Sequence, residues 1–100
     1  MDKYEQNSKI FKALSDHNRL KIVDLLSCGE KCAYELLNHF DFKQPTLSHH
    51  MKVLVECGLV KARKEGTWSH YRLDYKRANQ SVLFYMSIIN ETEDCICYKK

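Results

Sequence analysis

The residue types best suited to chemistry in this chain are its five cysteines, four of which form two close pairs. The pairs are Cys28 with Cys32 and Cys95 with Cys97. Thiolates are soft ligands that select As(III), Sb(III), Cd(II), Zn(II) or Cu(I). Three thiolates suit a trigonal metalloid, and four suit tetrahedral zinc or cadmium. The two pairs therefore predict a site for a thiophilic metal or metalloid.

The same thiols have two other interpretations. In a redox or persulfide sensor, thiols on two different elements join as a disulfide. In the simplest interpretation, Cys28 fills the core, the segment with Cys95 and Cys97 is a frayed end, and neither has a function. Cys57 directly precedes Gly58, which ends a helix, and we predict that this thiol packs rather than binds a ligand. The five histidines do not cluster at metal-ligand spacing, and they are His17, His39, His49, His50 and His70.

Length and composition place these residues in a single folded domain over residues 1–100. Hydrophobic residues make up 44% of the chain and charged residues 29%, as in ordinary globular domains. Sixteen Lys and Arg against thirteen Asp and Glu give a net charge of +3, which permits contact with nucleic acid. No apolar run reaches the ~18–20 residues of a membrane span, and the first residues are polar. We therefore expect a cytoplasmic protein without membrane association.

The first half of the sequence predicts four helices. Residues 4–15 carry a short apolar stripe, and Asp16 is a suitable N-cap for a second helix that ends at Cys28 and Gly29. A third helix presents Ala33, Leu36, Leu37 and Phe40 at helical spacing, and residues 41–44 connect it to a fourth. Pro45 lies in the first turn of that fourth helix, which ends at Gly58. Its apolar seam is formed by Leu47, Met51 and Leu54.

After Gly58 the periodicity changes to that of strands. Residues 59–64 and 68–73 are predicted to form an antiparallel hairpin around residues 65–67. Helical spacing resumes from residue 75 to about residue 92. The predicted fold is mostly α with a small antiparallel β-hairpin, in the order α-α-α-α-β-β-α of a winged helix-turn-helix.

This order predicts contact with double-stranded DNA, for which no cofactor is required. The second helix of a helix-turn-helix enters the major groove with its N-terminal residues at base edges. On the fourth helix, His49 is predicted to face DNA and His50 to be half-buried. The hairpin carries Lys61 and Arg72 beside two further basic residues, which suits contact with phosphates. The predicted DNA-binding residues are Gln44, Thr46, Ser48, His49, Lys52, Arg63 and Lys64.

Motifs in a specific order cover residues 16–73, more than half of the chain. They are Ser15-Asp16-His17-Asn18-Arg19-Leu20-Lys21-Ile22, Gln44-Pro45-Thr46-Leu47-Ser48-His49-His50-Met51-Lys52-Val53-Leu54, Cys57-Gly58-Leu59-Val60 and Arg63-Lys64-Glu65-Gly66-Thr67-Trp68-Ser69-His70-Tyr71-Arg72-Leu73. Together they resemble the ArsR/SmtB family of metal-responsive repressors. The resemblance implies a homodimer built on the first and last helices, repression of an operator, and release when an inducer binds.

The resemblance also indicates which residues of this sequence could bind the inducer. Arsenic-type members carry Glu-Leu-Cys-Val-Cys-Asp-Leu at the start of the third helix. Here Cys32 is retained, Tyr34 replaces the second thiol, and Leu37 stands where some members have a third. The family's zinc-type site on the last helix is also absent, since the matching positions are Tyr75, Arg77, Ile88 and Glu91. The resemblance thus implies an As(III)-like inducer at Cys32. From the spacing of the thiols we predict that Cys28, Cys95 and Cys97 supply the remaining ligands.

Two other classes of function are disfavoured by the sequence. It contains no nucleophile elbow, phosphate loop or zinc-protease motif, so we expect that it is not an enzyme. A protein–protein adaptor with a winged fold would not need Gln44, Thr46, Ser48 and a basic hairpin. The sequence therefore predicts a transcriptional repressor that a thiophilic metal or metalloid releases from its operator. The alternative is a thiol-based redox or persulfide-sensing repressor of the same fold.

Overall fold

A computed structural model describes residues 1–90 of the chain. Within this range the elements are, in order, α1 (Lys3–Leu14), α2 (His17–Leu26), β1 (Lys31–Cys32), α3 (Ala33–Leu37), α4 (Gln44–Glu56), β2 (Val60–Glu65), β3 (Trp68–Leu73) and α5 (Tyr75–Ile89). Two of the predicted ligands, Cys95 and Cys97, lie outside the described residues. The end of the last helix predicted by the sequence, near residue 92, also lies outside them. No helix in residues 1–90 has both the length and the apolar character needed to cross a bilayer.

Aspartates begin three of the helices. Asp2, Asp16 and Asp74 are the N-caps of α1, α2 and α5, and each side chain accepts a hydrogen bond from a backbone N–H of the first turn. The N-cap that the sequence predicted at Asp16 is thereby confirmed. Together α1, α2, α3, α4 and the base of the hairpin enclose one core, which consists of Ile10, Ala13, Ile22, Leu26, Leu36, Leu47, Met51, Leu54, Leu59, Val60 and Leu73.

The hairpin belongs to a sheet with the strand order β1-β3-β2, antiparallel throughout the described part of the chain. Strand β2 pairs with β3, and Gly66, at a φ of +63°, lies in the turn between them. The short strand β1 joins the other edge of β3, with Lys31 opposite Tyr71 and Cys32 opposite His70. The sequence did not predict β1, because a strand of two residues has no periodicity to detect.

Several predicted boundaries are wrong. Helix α3 ends at Leu37, and Phe40 lies in the connection, where its ring stacks on Phe42 at 4.6 Å between centroids. Phe40 therefore matches the helical spacing without belonging to the helix. The connection is consequently residues 38–43, and α4 already begins at Gln44. The strands are shifted by one residue or less, and the mostly α winged helix-turn-helix is confirmed.

Candidate DNA interface and inducer site

Helix α4 has one buried face and one exposed face. Leu47, His50, Met51 and Leu54 are buried, at the spacing of one helical stripe. The predicted DNA-binding residues of this helix all lie on the exposed side, and they are Gln44, Thr46, Ser48, His49 and Lys52. The helix is therefore held by its apolar stripe while its first two turns present hydrogen-bonding side chains to solvent.

Two contacts order this exposed face. The Gln44 Nε2 amide donates to Ser48 Oγ at 3.2 Å, which joins side chains on successive turns. Lys52 Nζ lies 3.9 Å from Glu56 Oε1, but both side chains are mostly exposed, so this pair contributes little. Gln44 and Ser48 can therefore exchange their mutual hydrogen bond for bonds to base edges or phosphates.

The hairpin projects a basic surface beside α4. Residues 61–68 are all exposed, and β2 and β3 carry Lys61, Arg63, Lys64 and Arg72. Lys61 pairs with Asp74 at 3.9 Å, and Arg63 pairs with two carboxylates. Among residues 1–90 no ion pair includes Lys64 or Arg72, which leaves these cations available to an external phosphate.

A buried hydrogen-bond network fixes α4 against the first two helices. Arg19 Nε donates to the carbonyl oxygen of Ala13 at 2.6 Å, and Arg19 Nη1 lies 3.1 Å from His50 Nδ1. Because a guanidinium cannot accept a hydrogen bond, Nδ1 is the acceptor and the neutral ring carries its proton on Nε2. His50 is 6% exposed, so it is buried rather than half-buried as predicted. His50 lies three residues after Leu47 and four before Leu54, which is the spacing of the buried face of the helix. Sequence reasoning missed this signal.

We expect this network to make folding stability depend on pH. Burial lowers the pKa of His50 from the ordinary 6.5, with Arg19, His49 and His17 acting in the same direction and Asp16 opposing them. Because the unfolded chain protonates first as pH falls, stability is lost from about pH 6.5 downward. Urea denaturation should therefore report a lower free energy of unfolding at pH 5 than at pH 7.

A His50→Gln variant keeps an acceptor for Arg19 but does not titrate, so its stability should change less over the same interval. Titration of Asp16 does not add to the pH dependence over this interval, because its pKa is held below the ordinary 3.8. Partial burial raises that pKa, and the N–H groups of Arg19 and Asn18 more than offset the effect. Equal pH dependence in wild-type protein and His50→Gln would contradict the assignment.

The first cysteine pair lies on a short segment between α2 and α3. Cys28 is exposed just beyond the end of α2, and Cys32 is half-buried at the end of β1. Between them, Gly29 adopts a φ of +129°, which favours glycine. Tyr75 Oη donates to the carbonyl oxygen of Ser27 at 3.4 Å, so the start of α5 touches the same segment. The exposure of Cys28 contradicts the interpretation in which it fills the core.

Two residues that sequence reasoning missed lie beside Cys32. The Cys32 N–H donates to Glu35 Oε1 at 2.9 Å, and this bond lowers the pKa of Glu35. His70 is the direct cross-strand partner of Cys32, so the two side chains share one face of the sheet. Nothing in the spacing of the sequence could have paired them, because only the register of β1 against β3 brings them together.

The described residues do not by themselves complete a metal site. Within residues 1–90 no group of three or more His, Cys, Asp or Glu side chains is arranged to hold a metal ion. Cys28 and Cys32 offer the soft sulfur donors that As(III) or Cd(II) prefers. A trigonal or tetrahedral ion at this pair would need ligands besides these two cysteines.

Cys57 differs from the other thiols in its surroundings. Its Sγ donates to the carbonyl oxygen of Leu54 at 3.3 Å, and it packs against the core. Burial raises its pKa above the ordinary 9.0. A thiol that stays protonated and bonded within its own helix is a poor ligand and a poor nucleophile. These surroundings agree with the packing role predicted for Cys57.

Helices α1 and α5 pack together and leave an apolar surface exposed. Ser81 Oγ donates to Asn7 Oδ1 at 2.9 Å in a buried contact between the two helices. Phe84 packs against Tyr4 and Phe11, with ring centroids 5.8 and 6.4 Å apart. Over the last eight residues of α5 the exposed apolar side chains are Val82, Leu83, Tyr85, Met86, Ile88 and Ile89. A contiguous apolar surface of this kind is typical of a subunit interface.

The fold and its two surfaces define a winged helix-turn-helix regulatory protein. The model of a family described as bacterial regulatory protein, arsR family, matches residues 16–62. An arsenical resistance operon repressor of Staphylococcus aureus is 50% identical over 95 residues, which cover 94% of this chain and 90% of that protein. The chain belongs to the arsR family. The expectation of a regulator rather than an enzyme is thereby confirmed.

Further similar proteins include another resistance regulator and two solved structures. A cadmium resistance transcriptional regulatory protein CadC homolog of Staphylococcus aureus is 42% identical over 76 residues, or 75% of this chain and 63% of that protein. An ArsR family transcriptional regulator has a TM-score of 0.79 at 26% identity, covering 86% and 88% of the two chains. A homodimeric winged helix-turn-helix DNA-binding domain from Mycobacterium bovis has a TM-score of 0.71 at 32% identity, covering 84% and 79%.

Proposed function

We propose that this chain is a homodimeric transcriptional repressor that acts in the cytoplasm and leaves its operator when a thiophilic metal or metalloid binds. The observation that carries the proposal is the exposed polar start of α4 beside a basic hairpin. The arsenical resistance repressor at 50% identity supports repression of a resistance operon. Dimerisation through α1 and α5 is supported by their shared apolar surface and by the homodimeric structural relative.

The proposed inducer is As(III) or Sb(III), with Cd(II) or Zn(II) as further candidates. Cys32 is the central ligand, and Cys28, Cys95 and Cys97 supply the remaining sulfurs. The relatives named as regulators of arsenical and cadmium resistance support this class of ligand. One thiolate holds a trigonal metalloid weakly, so the nearby Cys28 compensates for the Tyr34 that replaces a second thiol.

A thiol-based redox or persulfide sensor is the second candidate. The observation that favours it is the solvent exposure of Cys28, which opens this thiol to oxidants as well as to metals. The two candidates differ in what releases the operator. Titration of As(III), Sb(III), Cd(II), Zn(II) and peroxide or persulfide into reduced protein, read as thiolate absorption and operator release, separates them.

Substitutions on α4 should alter sequence preference, whereas a hairpin substitution should not. We expect Gln44→Ala and Ser48→Ala to weaken operator binding by about 1–3 kcal/mol for each lost base contact, with a smaller effect on random DNA. Lys64→Gln should weaken both alike and reduce the salt slope by about one, because phosphate contacts carry no sequence information. Gel shifts at several salt concentrations measure all three variants. Equal losses on operator and random DNA for the α4 variants would show that α4 is not the recognition helix.

A further inference from the structure

A bidentate ion pair joins residues 28–32, here called the cysteine segment, to the hairpin. Arg63 Nε donates to Glu30 Oε1 at 3.0 Å, and Arg63 Nη2 donates to Glu30 Oε2 at 2.8 Å. The remaining guanidinium nitrogen, Arg63 Nη1, donates to Glu65 Oε2 at 2.7 Å. These bonds lower the pKa of Glu30 and of Glu65, and raise that of Arg63. Arg63 is therefore bound between a carboxylate of its own strand and a carboxylate of the cysteine segment.

Glu30 belongs to the cysteine segment and lies next to the start of the sheet. It lies between Cys28 and Cys32 in the sequence and directly precedes β1. Across the sheet, Cys32 is opposite His70, and His70 is opposite Arg63. Antiparallel partners share a face, so the Cys32 thiol and the Arg63 guanidinium belong to one cross-strand row. The candidate inducer ligands and the candidate DNA-contacting hairpin thus meet at Glu30 and along this row.

We propose that Glu30 is the positioning residue that transmits inducer binding at Cys28 and Cys32 to the DNA-binding hairpin through Arg63. The inference rests on the proposed function. Coordination of both cysteines to one ion imposes the geometry of the ion on residues 28–32, since each sulfur must lie about 2.3 Å from zinc, for example. Glu30 moves with that segment, and the two parallel hydrogen bonds to Arg63 carry the displacement to β2. Bidentate pairs suit this role because they fix orientation as well as distance.

The chain offers a matched pair of variants to test this inference. Glu30→Gln and Glu65→Gln each remove one carboxylate from the same guanidinium. Only Glu30 belongs to the cysteine segment, whereas Glu65 and Arg63 lie on the same strand. The quantity to measure is the coupling ratio, defined as the operator Kd with saturating As(III) divided by the Kd without it. Thiolate absorption at the same As(III) concentrations reports inducer binding independently of DNA.

We expect Glu30→Gln to lower the coupling ratio at least ~5-fold, while its thiolate absorption stays at the wild-type level. Glu65→Gln should keep the wild-type ratio. The double variant Glu30→Arg with Arg63→Glu restores the pair in reverse, and its ratio should recover even though Arg63→Glu alone weakens DNA binding. A role of Glu30 that does not depend on its pairing with Arg63 would not produce this recovery.

Two results would overturn the inference, and they are distinguishable. If As(III) binds and releases the wild-type protein but Glu30→Gln keeps the full coupling ratio, the inference is wrong and the proposed function stands. If the wild-type protein shows no thiolate absorption with As(III) and no release, the proposed inducer is wrong and the inference falls with it.

Discussion

Replacing Cys32 with serine is expected to leave operator binding intact and to abolish release by As(III). Serine is close in size to cysteine and is a preferred N-cap, which is the position of Cys32 at the start of α3. Its hydroxyl does not supply a thiolate, so the central soft ligand is lost. Full release needs about a 10⁴-fold difference in affinity between the two states, or about 5.5 kcal/mol, and this difference should disappear. Gel shifts or fluorescence anisotropy with increasing As(III) measure it.

Cys57→Ser is the matched control for this variant. The Cys57 thiol is half-buried and donates to the carbonyl oxygen of Leu54, a bond that a serine hydroxyl can also make. Both DNA binding and release should therefore stay unchanged. The metal hypothesis fails if reduced Cys32→Ser protein responds to As(III) and Cd(II) like the wild-type protein. If metals have no effect and persulfide or peroxide releases only the wild-type protein, the redox alternative takes its place.

Replacing Leu83 with aspartate is expected to convert the dimer into a monomer and to remove most operator affinity. Leu83 is 65% exposed in the single chain and lies on the apolar surface of α5. Burying a carboxylate there without a partner is strongly unfavourable. Because a winged helix dimer reads two half-sites together, the monomer should bind the operator on the order of 100-fold more weakly or worse. Analytical ultracentrifugation should then report one 11.9 kDa chain instead of two.

Tyr34→Asp provides a control of the same chemical kind. Tyr34 is 61% exposed, nearly as much as Leu83, but it lies on α3 rather than on α1 or α5. This variant should sediment as the wild-type protein does. Should the wild-type protein itself sediment as a single chain at micromolar concentration, the proposed interface would be refuted.

The large elements of this fold could be predicted because each has a periodicity of its own. The seam of Leu47, Met51 and Leu54 identified α4, and the change of period after Gly58 identified the hairpin. Asp16 marked the start of α2 because its short carboxylate accepts the unpaired N–H groups of a first turn. These signals are local, so no neighbouring element was needed to interpret them.

The same local signals failed where a particular side-chain contact, rather than periodicity, decides the environment of a residue. Phe40 matched the spacing of α3 but stacks on Phe42 in the connection. His50 was expected to be half-buried, yet Arg19 supplies a partner that allows an imidazole to be fully enclosed. The deciding partner of Phe40 lies in the same connection, whereas the deciding partner of His50 lies on another helix.

The sequence by itself determined the winged helix-turn-helix, the candidate recognition helix, the basic hairpin and the cysteines able to bind a soft ion. Only the tertiary structure decided which residues of these features contact one another. It placed His70 opposite Cys32, bound Arg63 to Glu30, and joined Arg19 to His50. Each of these pairs joins residues on different segments, so it depends on strand register and helix packing rather than on local spacing. That dependence is the physical reason why the sequence could identify the residues but not their partners.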